Sequence, residues 1–191
     1  MLVRRVLVVD GQTAIGPAML DALARGGYDA RLTTRAELEA DDRRACRSAL
    51  SALEPNVLID CTADETVGLG FDAGAGNLAA ATRVMGGLSV FVSDAEVFDG
   101  AAAAPYVESS TAAPATSRGA TILAAEREVA RANPRHALVR TSWLFGSAAS
   151  GFVDDLLAAA DTSDELSLDA TVMSSPTYAP HLAESMLGLL R

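Results

Sequence analysis

The sequence predicts an α/β fold in which helices cover both faces of a doubly wound parallel sheet. Short, continuous apolar runs alternate with amphipathic segments along most of the chain, as expected for strands buried on both faces and the helices between them. Half of the 191 residues are hydrophobic, which is enough to form a large core. We predict a sheet domain over residues 1–146 and a smaller C-terminal lobe over residues 147–191, packed on the same core.

The first half of the chain predicts three strands and two helices. Residues 6–9 form a short β-branched apolar run, and residues 30–33 and 57–60 are segments of strand length in which most side chains are apolar or β-branched. Residues 15–25 and 43–53 carry apolar side chains at helical spacing. A glycine-containing turn joins the first strand directly to the first helix, which is how a βαβ unit begins.

The second half continues the same alternation of strands and helices. It predicts strands at residues 88–92, 137–140 and 166–168, and helices at residues 77–85, 122–132, 152–160 and 181–190. Residues 100–117 are rich in Ala, Pro, Ser and Thr and predict a long loop after the fourth strand.

The composition excludes several classes of protein. Fifteen arginines and no lysine stand against 25 acidic residues, so the chain has a net charge of -10 and repels nucleic acid. No apolar run approaches the roughly 18 residues that cross a bilayer, and the charged N-terminus does not resemble a signal peptide. We therefore expect a cytoplasmic protein that binds neither nucleic acid nor membrane. Two cysteines and two histidines predict neither a disulfide framework nor a metal site.

The candidate ligand site lies at the carboxyl ends of the strands, where open parallel sheets bind ligands. A dinucleotide loop needs glycines so that main-chain amides approach the pyrophosphate, and only Gly11 and Gly16 are available here. A tight turn with close helix packing explains these glycines equally well. Asp10 would repel a phosphate by about 1 kcal/mol in water. Arg35 either meets a ribose 2′-phosphate or is an exposed surface arginine. The residues expected to line the site are Gly11, Gln12, Ile15, Gly16, Arg35, Cys61, Thr62, Ala63 and Ser93.

Five motifs in this chain resemble the dTDP-4-dehydrorhamnose reductase family of extended short-chain dehydrogenases/reductases, and they occur in the family's order. They are VFDG at residues 97–100, PYVE at 105–108, NPRH at 133–136, RTSWLFG at 140–146 and SPTYA at 175–179. The resemblance covers nearly the whole chain. It implies a Rossmann fold that binds NADPH or NADH on the sheet, with a C-terminal lobe that binds a nucleotide sugar.

The resemblance also shows that this chain departs from the family at the catalytic positions. Arg118 stands where the family has its catalytic tyrosine, and Ile122 stands where it has the catalytic lysine. Asp94 replaces the catalytic threonine or serine, and Glu96 replaces a nearby tyrosine. The family's lysine lowers the pKa of the tyrosine that delivers the proton, which neither isoleucine nor a permanently protonated arginine can do. We therefore expect no ordinary reduction of a sugar ketone.

The cofactor loop departs from the family as well. Gly16 matches the last glycine of the family's loop, whereas Asp10 and Thr13 replace the other two. Binding of NADP or NAD is therefore expected to be weak or absent. Trp143 and Tyr178 lie in retained motifs, where they either shape a substrate site or pack the junction between the sheet and the C-terminal lobe.

The family also has longer segments than this chain. It has more residues between positions 63 and 71, and it continues beyond position 190, so we expect a reduced substrate lobe. Apolar surface left uncovered by such a lobe predicts a homodimer or a hetero-partner.

Three functions are compatible with the sequence. The first is a non-catalytic relative that binds a small molecule, a nucleotide sugar or a partner in a sugar or natural-product pathway. The second is a non-redox enzyme in which Asp94 and Glu96 act as acid and base, with Arg118 orienting an anionic substrate. A solvated group of loop charges explains the same carboxylates. The third is an NADP-dependent sugar-nucleotide reductase with unusual residues.

Overall fold

A computed structural model of the chain describes residues 4–10, 14–64, 70–146, 152–168 and 173–190. Its centre is a five-stranded parallel sheet in the order β2-β1-β3-β4-β5. The elements are β1 (Arg5–Val9), α1 (Ile15–Arg25), β2 (Asp29–Thr33), α2 (Arg43–Leu53), β3 (Val57–Asp60), α3 (Phe71–Val84), β4 (Leu88–Asp94), α4 (Ser117–Ala132), β5 (His136–Thr141), β6 (Leu144–Phe145), α5 (Phe152–Ala160), β7 (Thr177–Tyr178) and α6 (Ala179–Met186).

Helices cover both faces of the sheet, and this confirms the predicted fold class. One face packs against α1 and α6, and its core contains Val8, Ile59 and Met19. The other face packs against α2, α3 and α4, with Leu58 and Phe91 in its core. Both neighbours of β1 are parallel to it, with β2 on one side and β3 on the other. The direction in which successive strands are added to the sheet therefore reverses between β1 and β3. That switch point is where a fold of this kind opens a crevice for a ligand.

Several boundaries follow the predicted pattern closely, and two helices are longer than predicted. The helices α1, α2 and α5 have the predicted bounds. Helix α3 begins at Phe71 rather than at residue 77, because Gly74 and Gly76 weaken the helical signal of its first turns. Helix α4 begins at Ser117 rather than at residue 122, with Thr116 as its N-cap.

The strand predicted at residues 166–168 is wrong. These residues form no strand, and the Leu166 and Leu168 side chains are exposed. A strand needs a neighbouring backbone with which to pair, and the described partner of β6 is instead β7. The two-residue ladder joins Leu144 to Thr177 and Phe145 to Tyr178.

The C-terminal elements are attached to the sheet mainly through α6. Ala179, Ala183 and Met186 are buried in the same cluster as α1 and β1. By contrast, the described side chains of α5 are only half-buried or exposed, and Leu157 is 62% exposed. None of the described helices is long and apolar enough to cross a membrane.

Both cysteine side chains are fully buried, and we expect them to be unreactive in the folded protein. Burial raises the pKa of the Cys46 thiol to about 11, which leaves little of the reactive thiolate at neutral pH. Cys61 is buried beside β1. A chromogenic disulfide reagent at about pH 8 should therefore react at least about 100-fold more slowly with the native chain than with the chain in denaturant. Rapid labelling of the native protein would contradict this placement.

Candidate functional site

The candidate site consists of two groups of polar side chains at the carboxyl edge of the sheet. The first group lies at the switch point and contains Asp10, Asp60 and Thr62, which follow or end β1 and β3. The second group follows β4 and contains Asp94 and Glu96. Because parallel strands end at the same edge, residues far apart in the sequence meet here.

Asp10 lies directly after β1, at the switch point of the sheet. Its main chain has φ +49°, a left-handed conformation that aspartate tolerates and glycine favours. The Asp10 Oδ1 atom accepts a hydrogen bond from the main-chain N–H of Arg35 at 2.9 Å. The Oδ2 atom accepts one from the Thr62 hydroxyl at 3.2 Å. The carboxylate therefore links the ends of β2 and β3 above the end of β1.

Asp60 is the last residue of β3 and is 3% exposed. Its Oδ1 atom accepts hydrogen bonds from the Thr62 main-chain N–H and hydroxyl, and its Oδ2 atom has no hydrogen-bond partner in the described part of the chain. Burial raises the pKa of this carboxyl, while Arg35, the Thr62 hydrogen bonds and Asp10 have smaller effects. Asp60 was not among the residues that the sequence predicted for the site.

The Thr62 hydroxyl lies between the carboxyl groups of Asp10 and Asp60, and these two contacts limit how protons can be shared among the three side chains. A hydroxyl has one proton, so it can donate to Asp10 or to Asp60 but not to both at once. Both contacts are hydrogen bonds only if one carboxyl group is protonated. The buried Asp60, whose pKa is raised, is the group suited to hold that second proton.

The Arg35 side chain contacts the start of α3. Its Nη2 atom donates to the carbonyl of Phe71 at 2.9 Å, and its guanidinium lies 4.8 Å from the centre of the Phe71 ring. Gly74 makes room for it, because a Cβ atom at that position would lie 1.8 Å from Arg35 Nη2. The arginine that the sequence offered for a ribose 2′-phosphate therefore joins β2 to the start of α3.

Arg118 joins the second group into one ion cluster. Its Nη1 atom lies 3.1 Å from Asp94 Oδ2 and 2.8 Å from Glu96 Oε1, and its Nη2 atom donates to the carbonyl of Ala63. Asp94 also accepts a hydrogen bond from the Glu96 main-chain N–H, and Glu96 accepts one from the Thr116 hydroxyl. The structure thus brings together the three residues that the sequence proposed as catalytic candidates.

Local sequence explains why α4 delivers Arg118 to this place. The Thr116 hydroxyl caps the helix by accepting a hydrogen bond from the Gly119 main-chain N–H at 2.9 Å. Gly119 allows the helix to approach the turn after β4, since a Cβ atom there would lie 2.1 Å from the carbonyl oxygen of Glu96. Ile122, one turn further along, is fully buried in an apolar cluster with Phe91.

Ser93 belongs to a buried polar network that the sequence analysis missed. Its hydroxyl donates to Glu126 Oε1 at 2.6 Å. Arg140 donates to both oxygens of Glu126, from Nε at 2.9 Å and from Nη2 at 2.7 Å. Glu126 is 2% exposed, and its hydrogen bonds raise the pKa of Arg140. The Arg140 guanidinium lies 4.9 Å from the centre of the Phe98 ring, so the motif residues pack on one another.

A small cleft of about 20 Å³ separates the ends of β4 and β5 from β6. Thr141, Trp143 and Asp94 contribute to its lining, and the Thr141 hydroxyl has no partner in the described part of the chain. Trp143 has φ +43°, which is strained for a bulky side chain. Tyr178 lies away from this cleft, with its ring 5.4 Å from that of Phe145.

The other described residues that the sequence predicts for the site are buried. Ile15 and Gly16 are buried in the first turn of α1, and Cys61 is buried in the core. Ala63 is buried and offers its carbonyl to Arg118. Gly11 and Gln12, like Thr13, lie outside the described residues.

The order of the strands and the helices on both faces of the sheet define a Rossmann-like α/β protein. The sequence profile of the family described as RmlD substrate binding domain matches residues 4–191. The chain therefore belongs to this family, and the resemblance to dTDP-4-dehydrorhamnose reductases is confirmed.

Curated relatives have similar sequences over almost all of this chain. A dTDP-4-dehydrorhamnose reductase of Sinorhizobium fredii is 29% identical over 195 residues, which cover 97% of this chain and 66% of the relative. The spore coat polysaccharide biosynthesis protein SpsK of Bacillus subtilis is 27% identical, covering 97% of this chain and 69% of the relative. The chain spans about two thirds of the length of these relatives.

Solved structures agree with this assignment. The dTDP-4-dehydrorhamnose reductase of Clostridium acetobutylicum has a TM-score of 0.89 at 27% identity, covering 97% of this chain and 70% of that protein. The dTDP-4-dehydrorhamnose reductase of Bacillus anthracis, solved in complex with NADP, has a TM-score of 0.90 at 24% identity, covering 99% of this chain and 71% of that one. The second likeness concerns the fold alone.

Proposed function

We propose that this protein is a member of the dTDP-4-dehydrorhamnose reductase family that does not reduce sugars and serves instead to bind a ligand or a partner. The observation that carries the proposal is the arrangement around Arg118. The residue at the family's tyrosine position is a cation whose N–H groups already contact Asp94, Glu96 and the carbonyl of Ala63. No phenol is present there to deliver a proton.

The position of Ile122 supports the same proposal. A reductase of this family needs an ammonium group one helical turn after the tyrosine, to lower the tyrosine's pKa and hold the cofactor ribose. Ile122 is fully buried against Phe91 and other apolar side chains. It contributes packing to the core of the sheet and no charge to its edge.

The contacts at the switch point are a further argument, because they disfavour a dinucleotide. The Asp10 carboxylate lies where the main chain would have to approach a pyrophosphate, and Arg35 is turned toward Phe71. We therefore infer that NADP and NAD bind weakly or not at all, although the Bacillus anthracis relative was solved with NADP.

The names of the relatives suggest the class of ligand. They act on dTDP-sugars or take part in polysaccharide biosynthesis, so a nucleotide sugar or a related small molecule is the ligand class that we propose. Exposed apolar side chains at Leu157, Leu168 and Met173 support a partner, either a second copy or another protein.

The alternative of a carboxylate enzyme has less support. Asp94 and Glu96 lie close enough to act on one substrate, as that alternative requires. However, the Arg118 guanidinium fills the space between the two carboxylates, where the substrate would have to lie. A solvent-facing ion cluster that fastens α4 to the turn after β4 explains the same contacts.

We expect the purified protein not to catalyse reduction of a nucleotide sugar by NADPH or NADH. Incubated with NADPH or NADH and dTDP-4-dehydrorhamnose, it should oxidise the nicotinamide no faster than a blank, while an active relative under the same conditions provides the positive control. Absorbance at 340 nm and product chromatography are the measurements. Turnover that survives repurification and disappears in an Arg118→Ala variant would overturn the proposal.

A further inference from the structure

Helix α5 carries apolar side chains that the described core does not bury. Val153, Leu156 and Leu157 lie at helical spacing, which normally gives a helix one side that packs against a core. No described side chain of α5 is buried, however, and Leu157 is 62% exposed. The described element that α5 mainly contacts is the two-residue strand β6. The helix therefore has an apolar side that the rest of the described chain leaves uncovered.

The segment that follows α5 is exposed as well. Leu166 and Leu168 alternate with a serine, so an extended chain would place both leucines on one side. Both side chains are exposed, and the segment pairs with no described strand. The sequence predicts a helix and a strand within residues 152–168, and the described core buries neither. Grouped apolar side chains that remain exposed, unlike single ones, mark sites of interaction.

The same part of the chain is strongly acidic. Seven of the 25 acidic residues lie within residues 141–190, and all 15 arginines lie outside that range. Most of the net charge of -10 therefore belongs to this part of the chain. Exposed carboxylates near the apolar side chains in the sequence are those of Asp155, Asp161, Asp164 and Glu165. The surface thus combines uncovered apolar groups with negative charge.

We propose that residues 153–168, which we call the α5 surface, form a docking site for a basic, amphipathic segment of another protein. Apolar side chains of the partner cover Leu157 and its neighbours, and Lys or Arg side chains beside them pair with the carboxylates. A second copy of this chain fits poorly, because it would set negative charge against negative charge. The docking site rests on the proposed binding function, to which it adds the chemistry of the partner.

The probe is a fluorescent synthetic peptide with leucine and lysine at helical spacing, so that one side is apolar and the other is basic. A scrambled peptide of the same composition has the charge without the apolar side. A third peptide, with glutamate in place of lysine, has the apolar side with the opposite charge. Binding is measured by fluorescence anisotropy at about 0.15 M salt, where charges are screened over about 8 Å. We expect the unmodified chain to bind the amphipathic lysine peptide in preference to both others.

Substitution of Leu157 tests the apolar contact. Leu157→Ser should weaken binding of the amphipathic lysine peptide at least about fivefold, because less apolar area is removed from water in the complex. Val84→Ser changes an equally exposed apolar side chain at the end of α3 and should leave binding unchanged. Both positions are exposed, so both variants should fold, which circular dichroism and thermal denaturation verify.

Substitution of carboxylates tests the charge. Asp161→Asn/Asp164→Asn should weaken binding of the same peptide at least about threefold at low salt, and the difference should shrink in about 1 M salt, where screening is strong. Asp21→Asn/Glu108→Gln removes the same charge from exposed positions outside the α5 surface and is the matched control. A larger effect of the first pair than of the second is the expected result.

Four results would overturn the docking site or its partner. Absence of peptide binding, or equal binding of the amphipathic and scrambled lysine peptides, would show that the α5 surface does not select an amphipathic segment. Equal effects of Leu157→Ser and Val84→Ser would place the binding elsewhere. Preference for the glutamate peptide would exclude a basic partner. A dimer of the unmodified chain in sedimentation velocity that Leu157→Ser dissociates would assign the surface to a second copy. The proposed loss of reductase activity fails separately, by oxidation of NADPH in the turnover assay.

Discussion

Replacing Arg140 with methionine is expected to lower the free energy of unfolding by about 3 kcal/mol or more. Glu126 is 2% exposed and receives two hydrogen bonds from the Arg140 guanidinium. Removing the arginine leaves a buried carboxylate with only the Ser93 hydroxyl as a described side-chain partner. Breaking one side of a buried ion pair typically costs about 3–5 kcal/mol, because the remaining charge is not compensated.

A double-mutant cycle distinguishes this cause from a loss of packing against Phe98. The matched variants are Glu126→Leu alone and the pair Arg140→Met/Glu126→Leu, with unfolding followed in urea. If the uncompensated charge is the cause, the pair should be more stable than Arg140→Met alone, since both charges are then absent. Equal destabilisation of Arg140→Met and the pair would attribute the loss to packing instead.

The sheet was predictable because its strands carry an unusually direct signal. Val6–Val9 and residues 57–59 are continuous apolar runs, which are typical of strands buried on both faces of a parallel sheet. The start of α3 was not predictable from periodicity, since Gly74 and Gly76 are unfavourable in an isolated helix. The Arg35 side chain requires glycine at position 74, and Gly76 packs closely against the side chain of Glu128.

The candidate site was predictable in position but only partly in its contacts. The meeting of Asp94, Glu96 and Arg118 follows from strand order and from the family's motif, and the structure brings them together. The inward turn of Arg35 depends on a space above Gly74 that no local pattern reveals. Asp60 was not predicted to belong to the site, because the sequence does not indicate whether an acidic residue at the end of a strand is buried.

These contacts point to one physical change at the carboxyl edge of the sheet. A site that binds dinucleotides presents donors, from main-chain amides and the end of a helix, to phosphate. Among the described residues, the Arg35 N–H donates to Asp10, and the Thr62 hydroxyl lies between Asp10 and Asp60. Arg118 contacts Asp94 and Glu96. The described polar groups at this edge therefore contact one another at both the switch point and the β4 turn.

The second large effect concerns Asp60 and the dependence of stability on pH. The pKa of Asp60 in the folded chain is raised by burial above its ordinary value of 3.8. Below about pH 3.8 the carboxyl is protonated in both the folded and the unfolded chain, so it does not affect stability there. As the pH rises toward the folded-state pKa, the unfolded chain releases its proton more readily, and the free energy of unfolding falls by up to about 1.4 kcal/mol per pH unit.

Asp60→Asn should remove this dependence, because asparagine is an uncharged side chain of the same shape. Compared with the unmodified chain, the variant should gain stability as the pH is raised above about 4, up to the pKa of Asp60 in the folded chain, and the difference should stay constant above that pKa. Asp161→Asn, which changes the same charge at an exposed position, is the matched control and should not alter the pH profile. The measurement is the urea midpoint across this range. Parallel profiles for Asp60→Asn and the unmodified chain would mean that Asp60 is ionised in the folded protein, and the proton between Asp60, Thr62 and Asp10 would then be absent.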